Sequence, residues 1–318
     1  MVKLLNILSE KIAGNKTPSF ISHQLLLKEY EEEEKILVVP SLKYFGNDWN
    51  LLQLFLNSKG NPKWKLLDGL DLYDTSIESL ENLQSVGEDL DLYNSSIKSL
   101  GNLQSVGGYL NLGITRIESL ENLQSVGGNL YLYGASIESL GNLQSVGGSL
   151  DLRNTQIKSL GNLQHVGGDL YLVNTPIKSL GNLQHVGGYL FLRNTPIESL
   201  GNLQSVGGNL NLDETPIESL GNLQYVGEDL YLRYTEIKSL GNLQHVGGGL
   251  YLSHSPIESL GNLQSVGDNL DLSNTQIESL GNLQSVEGYL DLRNTPISEK
   301  YTEEEIRQMV NVKEVIFM

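Results

Sequence analysis

Residues 107–126 read Gly-Gly-Tyr-Leu-Asn-Leu-Gly-Ile-Thr-Arg-Ile-Glu-Ser-Leu-Glu-Asn-Leu-Gln-Ser-Val, and the chain repeats this 20-residue unit without a phase slip from about residue 67. Leucine recurs at every twentieth position from Leu70 to Leu290, twelve times in all, and again from Leu72 to Leu292. An unbroken period of this length is typical of a solenoid, in which stacked copies of one coil share a continuous core. The unit is too short for the four strands of a propeller blade.

Two spacings inside the unit predict its local structure. Leu110 and Leu112 are two positions apart, so both side chains lie on one face of a short strand. Four apolar residues from Ile117 to Val126 are three apart, which fits 3₁₀ or polyproline-type backbone rather than an α-helix. Stacking then places the strands side by side in a parallel sheet. The glycine pair at 107–108 is expected to supply the backbone angles of a sharp bend before the strand.

The pattern L-x-L-x-x-T-x-I-x-S-L-x-N-L, over roughly residues 67–297, resembles a leucine-rich repeat. The segment S-L-x-N-L-Q-S-V-G-G-x-L-x-L is also similar to the coils of receptor L domains. Thr115 stands where the family has its ladder asparagine. The resemblance implies a mainly β, right-handed, leucine-rich-repeat- or β-helix-like stack of about 12–13 coils with one parallel sheet. It also implies recognition as the usual role.

The sequence divides into four segments. We predict an N-terminal helical or accessory region over residues 1–46, and a capping helix with a linker over 47–66. Twelve repeats follow over 67–297, and a C-terminal cap with a short helix and a final strand occupies 298–318. Caps are expected because a stack exposes an apolar cross-section at each end.

The N-terminal segment, residues 1–66, does not repeat. Two helices are predicted over about 2–12 and 19–34, followed by a short strand at 36–39 that a proline ends. A third helix near 48–57 is expected to cover the N-terminal end of the stack.

The C-terminal segment carries a helix signal and a strand signal. Thr302 and Glu305 form a capping box, which predicts a short helix after them. Ile316 and Met318 lie 26 residues after the last two ladder leucines, one repeat plus six, and predict a final strand at the sheet edge.

Composition excludes several functions. The 318 residues carry a formal charge of −17 and no cysteine, so disulfides, thiolate metal sites and cysteine nucleophiles are ruled out. Such acidity argues against general nucleic-acid binding, which needs cations to displace counterions from phosphate. No stretch approaches the ~20 apolar residues of a membrane helix, and the N-terminus lacks a small-residue cleavage site. A cytoplasmic, non-membrane protein is the expectation.

Catalysis finds no support in the sequence. Gly-x-Ser-x-Gly, a phosphate-binding loop and His-Glu-x-x-His are all absent. His165 and His185 would stack one coil apart, but two histidines without a carboxylate in register make a poor metal site. We therefore expect no enzyme activity, no cofactor and no metal. The asparagine column that begins at Asn82 is expected to be a buried amide ladder that satisfies turn backbone.

Function is best sought where the coils differ. The inward positions hardly change, whereas three outward positions flanking the paired leucines vary and hold ten of the fifteen tyrosines. Exposed tyrosine and arginine suit a recognition surface, since both are favoured at binding hot spots. The residues predicted to bind a partner, most simply a protein, are Tyr109, Tyr131, Tyr133, Asp151, Arg153, Tyr171, Tyr189, Phe191, Arg193, Tyr231, Arg233 and Tyr251.

Three alternatives stay open at this point. Tyrosine is a good strand former, and neighbouring rings also stabilise a sheet without any ligand. Aromatic faces with Asp and Asn can hold carbohydrate, so a glycan is a second candidate partner. The chain would act as a structural spacer if its length mattered and its outward face did not. The oligomeric state does not follow from the sequence.

Overall fold

A computed structural model describes residues 30–31 and 36–316 of the chain. They form a β-solenoid built on one sheet of 26 strands. Tyr30–Glu31 pairs antiparallel with Ile36–Val39, and every other pairing within the described ranges is parallel. Equivalent residues of successive coils are hydrogen-bond neighbours, as in the pair Leu130 and Leu150. The strict period of 20 in the sequence is therefore the pitch of the fold.

The paired leucines form the ladder that the sequence predicts, here called the Leu ladder. Twelve strands stack through eleven turns, and the last of them is the second half of a longer strand. The strands are Leu70–Asp71, Leu90–Asp91, Leu110–Asn111, Leu130–Tyr131, Leu150–Asp151, Leu170–Tyr171, Leu190–Phe191, Leu210–Asn211, Leu230–Tyr231, Leu250–Tyr251, Leu270–Asp271 and Ser285–Asp291.

A second ladder, here called the Val ladder, runs beside the first and was not expected from the sequence. The glycine pair separates the two ladders in each coil, and they join in the continuous strand of the last coil. Its strands are Ile36–Val39, Trp64–Leu66, Leu83–Val86, Ser105–Val106, Ser125–Val126, Ser145–Val146, His165–Val166, His185–Val186, Ser205–Val206, Tyr225–Val226, His245–Val246, Ser265–Val266, Ser285–Asp291 and Asn311–Ile316.

One continuous apolar core fills the solenoid from Leu37 to Val315. Each coil contributes the two ladder leucines and the four apolar residues that follow at spacings of three, and nearly all of them are fully buried. The threonine column also points inward. Thr115 Oγ1, for example, donates to the carbonyl oxygen of Leu112 at 2.7 Å, whereas Ser95 Oγ in the same column is buried with no hydrogen-bond partner among the described residues.

From Gly87 to Gly267, the first glycine of each pair is required by close approach rather than by an unusual backbone angle, whereas the continuous strand of the last coil has Glu287 at this position. A Cβ on Gly127 would lie 2.1 Å from the carbonyl oxygen of Gly107 in the preceding coil. The second position is less strict, since glutamate stands there in two coils, at Glu88 and Glu228. Left-handed angles occur elsewhere in the coil, for example at Gly161 with φ +58°.

The N-terminal end is closed by helix α1, Trp49–Ser58, which follows a 3₁₀ helix at Leu42–Phe45. Asp48 caps α1 by accepting a hydrogen bond from the backbone N–H of Leu51 at 3.1 Å. The apolar side of α1 joins the solenoid core, as expected of a cap. The predicted helix over 2–12 lies outside the described residues, as does most of the one over 19–34. The predicted C-terminal end of the second of these helices is wrong, because residues 30–31 are extended. They pair with the otherwise open edge of the sheet.

The C-terminal end inserts two helices before the final strand. Helix α2, Pro296–Lys300, was not expected, whereas α3, Glu303–Met309, begins with the predicted capping box. The 26-residue offset holds where Val286 faces Val312, but a register irregularity shortens it by one, so Val315 rather than Ile316 faces Leu290. Met318 lies outside the described residues.

The asparagine column that begins at Asn82 is exposed or half-buried, so the prediction of a buried ladder is wrong. The side chains do bind turn backbone of the preceding coil: Asn122, Asn182 and Asn242 each donate to a glycine carbonyl oxygen at 3.0 Å. These bonds lie at the surface because the asparagine stands on the turn rather than under it.

Candidate recognition face

The outward side of the Leu ladder, here called the strand face, carries all twelve residues predicted to bind a partner. They alternate with fully buried leucines, so their side chains stand on the opposite side of the sheet from the core. Tyr133 is 43% exposed, and Tyr189 and Phe191 are each 36% exposed. Asp151 is the exception: it is buried, because the side chain of Arg153 covers it.

The structure brings six of these residues into one group, here called the central cluster. Arg153 lies between two rings, with its guanidinium carbon 5.6 Å from the centre of Tyr133 and 5.2 Å from that of Tyr171. Phe191 stacks on Tyr171 with ring centres 4.7 Å apart and 8° between the planes, and Tyr189 lies 5.9 Å from Phe191. Asp151, beneath Arg153, completes the group. Aromatic and cationic side chains of four successive coils therefore form one continuous surface.

Ion pairs hold three arginines of the strand face in place. Arg153 donates from Nε and Nη2 to the carboxylate of Asp151, at 2.9 and 2.5 Å. Arg233 and Arg293 bind Asp213 and Asp291 in the same way. The hydrogen bond to the carboxylate raises the pKa of the Arg153 side chain above its usual value. The guanidinium groups are therefore presented in fixed positions.

Hydrogen bonds also fix two of the rings. The Tyr171 hydroxyl donates to Asp169 at 2.9 Å, and the Tyr231 hydroxyl donates to Asp229 at 2.8 Å. Burial against the neighbouring coils, followed by the bond to Asp229, raises the pKa of Tyr231 to about 12. A ring tethered in this way loses little further freedom when a partner covers it.

The remaining predicted residues form two smaller groups and one single side chain. Tyr231 stacks on Tyr251 with ring centres 5.0 Å apart, and Arg233 lies 5.5 Å from the Tyr231 ring centre. Tyr109 meets Tyr131 edge to face at 6.4 Å. Arg193 is exposed and makes no ion pair with any residue between 36 and 316.

Sequence reasoning missed the residues that position these side chains. Asp169 and Asp229 precede their tyrosines by two residues, a spacing that puts both side chains on one strand face and could have revealed the bond. Asp213 lies one full coil before Arg233, so the period of 20 contained that signal. Tyr234 stacks on His254 at 4.9 Å in the next turn. That pair had no signal in the alternation, because both residues lie beyond the strand.

The histidines stack as predicted. The rings of His165 and His185 are 5.3 Å apart and nearly parallel, and His185 Nδ1 lies 2.8 Å from Ser205 Oγ. Across the part of the chain that the structure describes, no three acidic or histidine side chains converge on a common point. That same part contains no helix long and apolar enough to cross a membrane.

The arrangement therefore offers ring faces, guanidinium groups and carboxylates for non-covalent binding. Searches with known families and with curated proteins find no match to the chain. The geometry of the strand face is thus the ground on which a function can be argued.

Proposed function

We propose that the protein is a non-enzymatic recognition scaffold, a leucine-rich-repeat-like solenoid that binds a protein partner through the strand face. The observation that carries the proposal is the central cluster. Tyr133, Tyr189 and Phe191 expose ring surface around an arginine that internal ion pairing has already oriented. Aromatic residues and arginine dominate binding energy at protein interfaces, and preorganised side chains lower the entropy cost of association.

The pure sheet-stabiliser alternative explains part of the face but not all of it. Stacked pairs such as Tyr231 and Tyr251 do stabilise adjacent strands. The exposed side of Tyr133 adds nothing comparable to the sheet, nor does Arg193, which makes no ion pair with another described residue, because both extend into solvent. Surface of this kind favours a partner over a spacer.

The test replaces exposed residues of the strand face that lie outside the apolar core. The face variant carries Tyr133→Ser, Phe191→Ser and Arg193→Ser. Its matched control carries Tyr44→Ser, Tyr225→Ser and Arg116→Ser, which remove the same number of exposed aromatic and arginine side chains away from the strand face. Both are compared with the wild type in quantitative pull-downs from a lysate of the source cells.

We expect the face variant to lose a specific protein that the control retains, with unchanged circular dichroism in both. Equal capture by all three proteins would contradict recognition through this face. If activity in cells depended on the number of coils and not on the strand face, the spacer alternative would be favoured. Selective binding on a glycan array would favour a carbohydrate ligand.

We propose that the protein is cytoplasmic because its acidic, cysteine-free composition suits that compartment. Fractionation of cells that express a tagged chain checks this location.

A further inference from the structure

The first two coils of the strand face carry two carboxylates, Asp71 and Asp91. Among the described residues, Asp71 and Asp91 form no ion pair, although they face each other in adjacent strands. Each accepts a hydrogen bond only from backbone two residues on, Asp71 from Tyr73 at 3.0 Å and Asp91 from Tyr93 at 2.9 Å. Elsewhere on this face, by contrast, Asp151 lies 2.5 Å from its own arginine.

Within the three-residue motif that begins with the aspartate, one residue distinguishes these coils from the coil that contains Asp151. The motif there is Asp-Leu-Arg at 151–153, whereas it is Asp-Leu-Tyr at 71–73 and at 91–93. The guanidinium of Arg153 binds the carboxylate and lies within 6 Å of two flanking tyrosine rings. The face therefore contains its own example of how carboxylate and ring faces hold a guanidinium. In the first coils the carboxylates are present and two tyrosine rings stand in the column of Arg153, but no guanidinium is present.

The two rings of the first coils are held in an ordered pair. Tyr73 and Tyr93 stack with centres 5.7 Å apart and 7° between their planes. Tyr93 lies over Gly113, where a Cβ would come within 3.0 Å of the ring. Tyr73 remains 55% exposed. A missing side chain in the third coil thus makes room for the pair, and the pair presents the outer ring to solvent.

We propose that Asp71, Tyr73, Asp91 and Tyr93, here called the first-coil patch, dock an arginine side chain from an extended basic segment of a protein partner. The carboxylates supply charge complementarity and the rings supply cation–π contact, as they do for Arg153. The net charge of −17 attracts such a segment to the molecule before contact. The inference rests on the proposed function only for the protein nature of the occupant.

The test uses tetra-arginine peptide as the probe, with tetra-glutamate as its opposite. Tyrosine ring signals of the isotope-labelled full chain are followed by NMR during titration at low salt. We expect saturable shifts confined to Tyr73, Tyr93 and their neighbours. The Asp71→Asn/Asp91→Asn variant should bind tetra-arginine about tenfold more weakly than the wild type does. Asn211 already accepts the equivalent backbone bond at 3.0 Å, so this variant retains the local fold.

Two matched controls separate the site from general acidity. Glu258→Gln/Glu278→Gln removes two exposed carboxylates away from the strand face and should leave binding unchanged. Tyr73→Arg puts a guanidinium beside Asp71 as in the coil of Arg153, and should abolish binding by filling the site from within. Gln124→Arg adds the same charge at an exposed position elsewhere and should bind normally.

Shifts spread over the whole acidic surface, equal weakening by both carboxylate variants, or no binding would each overturn the inference. These outcomes are independent of the central cluster. A face variant that keeps its partners while tetra-arginine still binds the first-coil patch would sink the proposed function and leave this site standing. If the face variant lost its partner and tetra-arginine did not bind the wild type, the proposed function would stand and the first-coil patch would be rejected.

Discussion

Gly167→Ala tests the close approach of successive coils, which is the contact that sets the pitch of the solenoid. The new Cβ would lie 2.1 Å from the carbonyl oxygen of Gly147 and 2.9 Å from its carbonyl carbon. Both atoms belong to backbone, so no side chain can rotate away. The two coils would have to separate locally by roughly 1 Å to restore ordinary contact.

Separation of that size affects the hydrogen bonds that join these coils. Gly167 N–H donates to Val146 at 2.8 Å, Gly168 N–H to Gly148 at 2.9 Å, and Gln164 N–H to Gln144 at 2.9 Å. Loss of two or three such bonds at ~0.5–1.5 kcal/mol each, added to overpacking of ~1–3 kcal/mol, gives a destabilisation of about 2–7.5 kcal/mol. Gly181→Ala is the matched control. Its Cβ meets nothing within 4 Å, so only the left-handed φ of +57° is penalised, by about 1–2 kcal/mol.

Urea unfolding followed by circular dichroism measures the two variants, and hydrogen exchange locates the weakened coils. We expect Gly167→Ala to lose more stability than Gly181→Ala and to lose amide protection in the coils on both sides of residue 167. Repeat arrays can unfold in parts, so exchange at individual amides is the more direct measurement. If Gly167→Ala were no less stable than Gly181→Ala, backbone contact between coils would not set the pitch.

Two further predictions concern the core and the strand face. Leu170→Asp buries an unpaired charge at a fully buried position, so it should cost more than the ~2–5 kcal/mol of a leucine-to-alanine change and unfold neighbouring coils, as seen by circular dichroism. A well-folded variant would mean that the inward side is misassigned. The Tyr231 phenol should titrate near its raised pKa of about 12, so the stability it contributes is complete below pH ~10 and is lost as the pH rises towards 12. NMR titration of the ring checks this, and Asp229→Asn should lower the pKa only in part, because burial is its largest cause. An ordinary pKa in the wild type would contradict the burial of that ring.

The repeat and its inward side were predictable because they depend on side-chain chemistry that recurs twenty residues apart. The pair Leu110 and Leu112 identified a strand and its inward face. The Val ladder was missed because Ser125–Val126 is a strand of two residues, too short to show alternation. Its pairing arises from stacking, since the same two residues of the next coil lie directly beside it.

The site was predictable as a surface but not as a set of contacts. Alternation placed Tyr133, Arg153 and Tyr171 on one side of the sheet, and the structure does bring them together. Alternation did not show that Arg153 binds Asp151 and covers it, because the rotamer of a long side chain depends on its neighbours in the adjacent coils. The reason for the first glycine was also beyond the sequence: a short contact between coils cannot be read from one coil.

Strict register also explains why the first-coil patch stands out. A period of 20 places like residues on like residues, which suits stacked rings but sets carboxylates beside each other. Like charges opposite each other destabilise adjacent strands by roughly 0.2–1 kcal/mol. The ion pair with Arg293 offsets this repulsion at Asp291, whereas Asp71 and Asp91 face each other and form no ion pair with any described residue. A cation supplied by a partner would remove the repulsion between Asp71 and Asp91. Binding at the first-coil patch should therefore stabilise the N-terminal end of the stack, where this repulsion now destabilises the paired strands.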